Sequence, residues 1–324
     1  MADGDVAFDW KRVHRDGMGI YGDTGLDSRK VLTEMPRRVK DGFLLDEVPW
    51  ARFMLGDHRR GHVPARHLIV QACSADAGTV DRALTGLFHL LFSDYVVRAS
   101  APLTVPFLIR LAVVPERPCR ADALGLAAAL ARYGDHLATR EYFLETVTPD
   151  IRFSPDGYLL NWTLEASRIA VTADTDLLLP LLHDPDPQLR TAAADILGTA
   201  LGPTDHITAA LRDRLTTEPA PAVRAALVLA CAELARNHPT PHTTDWPGTL
   251  WPAPDQPGDV RIAAALARLC LTTDPVSDDL RTFVEAFVAT DAQHVLDGVP
   301  WFARNGGLAA TVQRLLDVPT AEGC

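Results

Sequence analysis

Three arginines set a repeating register along this chain. Arg190, Arg224 and Arg261 each follow an apolar residue and lead into a helix-forming run of small residues, and they lie 34 and 37 residues apart. That spacing is the period of a stacked helical-repeat array, in which each two-helix unit buries its apolar face only against its neighbours. The best-formed unit is Leu177–Gly202, LLLPLLHDPDPQLRTAAADILGTALG. It divides into a short apolar helix over Leu177–His183, a proline-bearing turn, and an amphipathic helix over Leu189–Leu201. Leu189, Ala192, Ala193, Ile196, Leu197, Ala200 and Leu201 recur at helical spacing and form one stripe. Asp186 and Pro187 stand at its start, where an acidic cap and a fixed φ favour helix initiation. Glu218–Ala235 and Gln256–Cys270 repeat the scheme.

Helical patterns extend upstream over His62–Cys73, Gly78–Phe92, Ala99–Val114, Ala121–Gly134, Leu137–Val147 and Gly157–Val171. Pro106 either kinks its helix or opens a new one, and Gly134 is a natural stop. Further helices are expected over Val260–Cys270, Asp278–Ala289 and Gly307–Leu316, and no strand-like alternation of useful length occurs. Two stretches stand apart. Residues 1–43 read as an irregular N-terminal arm, with at most one short helix around Ser28–Arg38. Residues 237–258 read as a Pro/Trp-rich loop without a helical stripe, interrupting the array that otherwise spans residues 44–324. The expected fold is all-α, an α-solenoid of antiparallel helix pairs.

A formal charge of −11 disfavours a nucleic-acid partner, because phosphate contacts require basic surface. Cys73, Cys119, Cys231, Cys270 and Cys324 are scattered and odd in number, which fits reduced thiols in a cytoplasmic protein better than a disulfide framework. The N-terminus lacks an apolar signal-like core, and no uncharged apolar run reaches 18 residues, so no membrane association is expected.

The pattern formed by Asp184, Pro185, Arg190, Ala192 and Ala193, with looser versions around Arg224 and Arg261, resembles HEAT repeats. Ala99, Ser100, Pro106, Phe107 and Leu108 resemble the Ala-Ser and Pro-Phe-Leu run of a HEAT-like family common in high-GC bacteria. The resemblance covers roughly Trp50 to Leu316. It implies a repeat architecture and binding or scaffolding in general, with each repeat arginine pairing with an acid of the neighbouring unit. The planar guanidinium suits that bidentate role.

Candidates for chemistry are sparse. Gly17, Gly19 and Gly22 spell G-x-G-x-x-G, but the flanking strand and helix of a dinucleotide site are missing, so the glycines are expected to mark turns. His238, His242 and Asp245 have a loose metal-ligand spacing, but prolines prevent the histidines from sharing a helical turn, and no metal or cofactor site is expected. Glu141 and Glu145 read as an acidic outer face. Asp135 and His136, as neighbours, point apart and suggest a turn rather than a dyad. No nucleophile elbow, zinc-protease or Walker motif is present.

Two groups remain as candidate binding residues. Tyr158, Asn161, Glu165 and Arg168, with Thr172, form a polar stripe opposite Leu159, Trp162, Ala166 and Ile169; Glu165 and Arg168 are spaced as a surface pair. Trp246 and Trp251 either staple the proline-rich loop onto the array or supply interface anchors. The expectation is therefore a binding or scaffold protein that recognises another protein on a concave face. The alternative is an enzyme acting on a small molecule, perhaps in specialised metabolism, with its site in the same groove.

Overall fold

A computed structural model describes residues 27–50, 53, 65–93, 96–133, 139–147, 152–153, 158–291 and 293–316. Helix accounts for 68% of it, in 17 helices among the described residues, and the one ribbon, Phe92–Ser93 with Val96–Val97, is two residues on each side. Gly17, Gly19, Gly22, Gly134, Asp135 and His136 lie outside the described residues. Among the described residues no helix is long and apolar enough to cross a membrane.

The chain enters through α1 (Ser28–Glu34) and α2 (Arg37–Asp41), followed by the pair α3 (Ala65–Ala72) and α4 (Ala77–Leu91). Next come a 3₁₀ turn at Ala101–Thr104, α5 (Val105–Val113), α6 (Arg120–Ala129), α7 (Leu160–Ala173) and α8 (Thr175–Leu178). A second 3₁₀ turn, Leu179–His183, leads to α9 (Pro187–Leu197), α10 (Asp205–Thr217), α11 (Pro221–Asn237), α12 (Pro241–Leu250) and α13 (Gly258–Leu271). The chain closes with α14 (Asp278–Val288), α15 (Gln293–Leu296), α16 (Pro300–Ala303) and α17 (Leu308–Leu316).

Local chemistry places most of these starts. Asp76, Asp186 and Ser277 accept from the backbone N–H groups of Thr79, Gln188 and Leu280, satisfying donors that a helix start leaves unpaired. Pro106, Pro187, Pro221 and Pro241 occupy first-turn positions, where no N–H is missed. Pro106 thus opens α5 rather than kinking a longer helix.

Helices α6, α9, α11 and α13 stack side by side as a ladder, each against the next. A second row covers it: α5 on α6, the Leu179–His183 turn on α9, α10 on α11, and α12 on α13. The C-terminal helices then fold back onto the ladder, α15 and α16 against α11, α16 also against α9, and α17 against α13. Helix α11 is therefore covered on all sides, and every residue from Ala225 to Ala235 is buried. A helix apolar all round suits that central place.

The repeat arginines tie successive rungs. Arg190 places Nε and Nη2 at 2.9 and 2.8 Å from the Glu218 carboxylate, and its Nη1 donates to the carbonyls of Asp184 and Pro185. Arg224 repeats the geometry one unit on, at 2.8 and 2.7 Å from Asp259, with Nη1 donating to the carbonyls of Glu218 and Pro219. Arg261 departs from the series. It donates to the Trp251 carbonyl and lies over the Phe283 ring, because the next unit presents an aromatic there instead of an acid.

Three sequence expectations need correction. The arm expected at residues 1–43 is structured from Ser28 onward: α1 packs along α7, and Lys40 of α2 reaches the buried Asp174, which also holds Arg110. The loop expected at 237–258 contains α12, started by a reciprocal Thr240–Thr243 capping box that local polar residues supply despite Pro247. Residues 139–147, expected within a helix, are irregular. Their backbone carbonyls serve side chains instead: Arg236 donates to those of Arg140 and Glu141, and Arg168 to that of Glu145.

Glu218 accepts from both Arg190 and Arg214 and from the backbone N–H of Ala220, and its side chain is fully enclosed. Removing it strands a buried guanidinium. Glu218→Ala should lower unfolding free energy by about 3–5 kcal/mol in urea titrations, whereas Arg281→Ala, which loses only an exposed pair with Glu285, should change it by less than about 0.5 kcal/mol.

Candidate binding site

The ladder leaves one large opening where three of its helices meet the C-terminal fold-back. A pocket of about 810 Å³ lies between Ala121, Asp122 and Gly125 of α6, Pro187 to Asp195 of α9, the start of α11, and Val295, Gly298 and Pro300. Its walls are small or cyclic because the ladder packs closely there: Ala121, Ala192, Ala220 and Ala222 form the floor, with Pro187, Pro221 and Pro300 at the sides. Gly125 sits in mid-helix, and a Cβ built on it would meet nothing within 4 Å. Glycine in a helix interior costs about 0.5–1 kcal/mol relative to alanine, and no neighbour among the described residues requires it. Gly198, by contrast, is explained by the Ala230 backbone at 3.3 Å.

Behind the pocket wall lies a buried charge cluster. Asp195 lines the pocket from α9 and grips Arg304 with both oxygens at 3.0 and 3.1 Å, while Arg132 approaches it at 3.0 Å. Arg132 also donates to Glu233 of α11 at 3.1 Å, and the Trp301 indole N–H donates to the same oxygen at 2.8 Å. Arg168 and Glu145 complete the group. Burial would raise Asp195, but Arg132 and Arg304 outweigh it and hold the carboxyl below its ordinary range. Burial likewise opposes the charge on Arg132, yet Asp195 and Glu233 reverse this and raise it. Arg168, fully enclosed and bonded only to the Ala131 and Glu145 carbonyls and the Asn237 side chain, is lowered by burial. Glu145 accepts the Tyr133 backbone N–H at 2.7 Å, and burial, reinforced by Glu233 and opposed by Arg132, pushes its carboxyl up to about 7.

The residues singled out from sequence fall elsewhere. Tyr158 is fully buried; its hydroxyl accepts from the Ser28 backbone at 3.0 Å and donates to the Ser28 hydroxyl, and burial pushes the phenol up to about 12. Arg168 is core, so the supposed solvent-facing stripe of α7 is not one. Glu165 pairs at 2.9 Å with Arg29 of α1 rather than with Arg168, and that guanidinium also covers the Trp162 ring at 4.2 Å. Asn161 accepts from the backbone N–H of Arg152. These side chains dock α1 and the 152–153 strand bridge onto α7; the hidden factor was α1, which supplies the surface that the stripe meets. Trp246 and Trp251 are half-buried against the core, under Arg212 and beside Phe283 respectively. His238 accepts from Gly202, His242 faces Arg212 and Asp245 faces Arg268, so these three have different neighbours. Glu141 and Glu145 do not share a face: Glu141 is exposed and Glu145 buried.

Comparison with known proteins adds no relative. No protein-family model, no curated protein and no solved structure matches this chain. The geometry alone carries the assignment.

Sequence reasoning missed Asp122, Gly125, Asp195, Glu233 and Trp301, and it placed the buried Glu145 on an acidic outer face. One signal was present, since an isolated glycine inside LGLAAAL is a costly choice for a helix. Asp195 and Glu233 sit within apolar stripes, and nothing short of the fold assigns them arginines sixty or a hundred residues away.

The raised Glu145 carboxyl makes stability depend on pH. A folded-state value above the unfolded one favours the protonated form in the native protein, so its contribution is present below about 4.5 and lost as pH rises through about 7. The loss should be on the order of 3 kcal/mol across that window. Glu145→Gln keeps an acceptor for Tyr133 and should flatten the decline between pH 5 and 8 (the window set by the 4.5 to about 7 shift) in thermal unfolding, with the largest gain at the alkaline end.

Proposed function

We propose that this chain is a HEAT-like α-solenoid that binds a segment of another protein in the pocket between α6, α9 and α11. Gly125 carries this reading. A helical glycine facing open space is unfavourable for folding, and close approach of another chain to the α6 backbone is the physical reason to keep one. Support also comes from the 34-residue and 37-residue arginine spacing and the Arg190–Glu218 and Arg224–Asp259 pairs, which suit a stacked repeat. In such an array the C-terminal helices cover much of the inner face. The partner therefore meets a compact pocket rather than a long open groove.

An enzyme acting on a small molecule draws on Glu145, whose carboxyl at about 7 has the value of a general acid or base. That carboxyl is 8% exposed and does not line the pocket. Asp195 does line it, but two arginines hold its proton off, which removes it from acid–base exchange near neutral pH. Protein binding fits the pocket better.

Gly125→Ala should stabilise the free protein by about 0.5–1 kcal/mol while weakening partner capture. Gly125→Trp should abolish capture with circular dichroism unchanged. Affinity purification from the native host with quantitative mass spectrometry measures this; a partner retained undiminished by Gly125→Trp would place the binding surface elsewhere.

A further inference from the structure

The charge of the pocket narrows what it can take. Among the described residues that line it, only Asp122 and Asp195 are charged, and none is Lys, Arg or His. Two arginines of the lining helices are committed elsewhere, Arg120 of α6 to Asp184 and Arg190 of α9 to Glu218. Asp195 is neutralised by Arg304. Asp122 differs: it is exposed and forms no ion pair among the described residues. It stands three residues before Gly125, hence on the same face of α6, at the edge of the open space over that glycine. The rest of the lining is mostly aliphatic or cyclic, including the 55%-exposed Val295, with Gln188 and Thr191 adding neutral polar groups.

Resting on the reading of this pocket as a protein-binding site, we infer that its occupant is a basic–apolar peptide segment of the partner. An aliphatic side chain lies over Gly125 against Ala192 and Ala222, and an adjacent Lys or Arg reaches Asp122. The apolar contact supplies most of the binding free energy, since most of the described lining is apolar and its residues are small. The Asp122 pair supplies selectivity: an acidic residue in that place would meet uncompensated like charge in a partly desolvated site. Asp122 also lies in the first turn of α6, where the helix dipole favours an acid. Its presence alone is thus no proof of a ligand, and the test must separate stability from recognition.

Fluorescence anisotropy with the full chain at physiological ionic strength does so, using short labelled Leu/Lys, Leu/Glu, Leu/Ser and Ser/Lys peptides as probes. Screening at that salt suppresses diffuse attraction to the net charge of −11. The Leu/Lys peptide should bind saturably, and more tightly than each of the others by about tenfold, a difference of about 1.4 kcal/mol. Gly125→Trp should abolish that binding. Asp122→Lys should weaken it about tenfold and improve the Leu/Glu peptide, at little change in melting temperature. Leu/Glu or Leu/Ser binding as tight as Leu/Lys, and lost in Gly125→Trp, would overturn the charge assignment and leave the pocket as a protein site. If no peptide responds to Gly125→Trp or to the smaller Gly125→Leu, both inferences fall.

Discussion

Enclosing Arg132 constrains everything around it. A guanidinium taken out of water must find fixed acceptors, because the desolvation cost exceeds what one imperfect contact returns. Arg132 follows α6, and it is satisfied by Asp195 of α9 and Glu233 of α11, so one side chain joins three successive helices of the ladder. Trp301 and Arg304 then close the same two carboxylates from the C-terminal side, with both arginines over the indole ring. Sliding any of these elements by a turn would leave a buried charge without its partner. The cluster therefore selects one register among several that apolar packing alone would tolerate, since alanine-rich helix faces are nearly uniform along their length.

The pocket is a consequence of that arrangement. The C-terminal fold-back is anchored at Trp301 and Arg304, and Phe302 stacks on Phe143 with ring centroids 6.1 Å apart. These contacts lie toward the far ends of α6 and α9, so the starts of α6, α9 and α11 stay uncovered. The same acid, Asp195, thus closes the core on one side and contributes to the pocket wall on the other. Its two arginines keep it ionised and immobile, which gives the pocket a rigid back. Asp122 and Gly125 at the front edge have no such ties among the described residues, and the proposed binding role rests on that contrast.

A second lock operates at the other end. Asp174 is buried between Lys40 and Arg110, and Tyr158 closes on Ser28, so α1 and α2 are held onto α7 and α5 by polar contacts as well as by the buried Leu32 and Val39. Those partners are 130 or more residues apart for Ser28–Tyr158 and Lys40–Asp174. Short helices of five and seven residues gain little from intrinsic propensity, which is why the same stretch looks irregular when taken by itself.

What the sequence by itself determined is the local and the periodic. The helical class, the Asp186–Pro187 start of α9 and the Arg190 and Arg224 register follow from side chains acting on nearby backbone or on the next unit, interactions that spacing encodes, whereas Pro106 by itself fits either a kink or a helix start. What only the tertiary structure decided is the fate of isolated polar residues. Whether Arg168, Glu145 or Tyr158 faces water depends on which distant segment lies on top of it; pattern points to a short helix around Ser28–Arg38, but to neither its docking on α7 nor the irregular course of 139–147. Helical order for Leu137–Val147 lost because its carbonyls are worth more to the buried Arg168 and to Arg236 than to its own helix. The pocket, likewise, depends on how the described C-terminal helices return over part of the ladder and leave Gly125 outside their contacts.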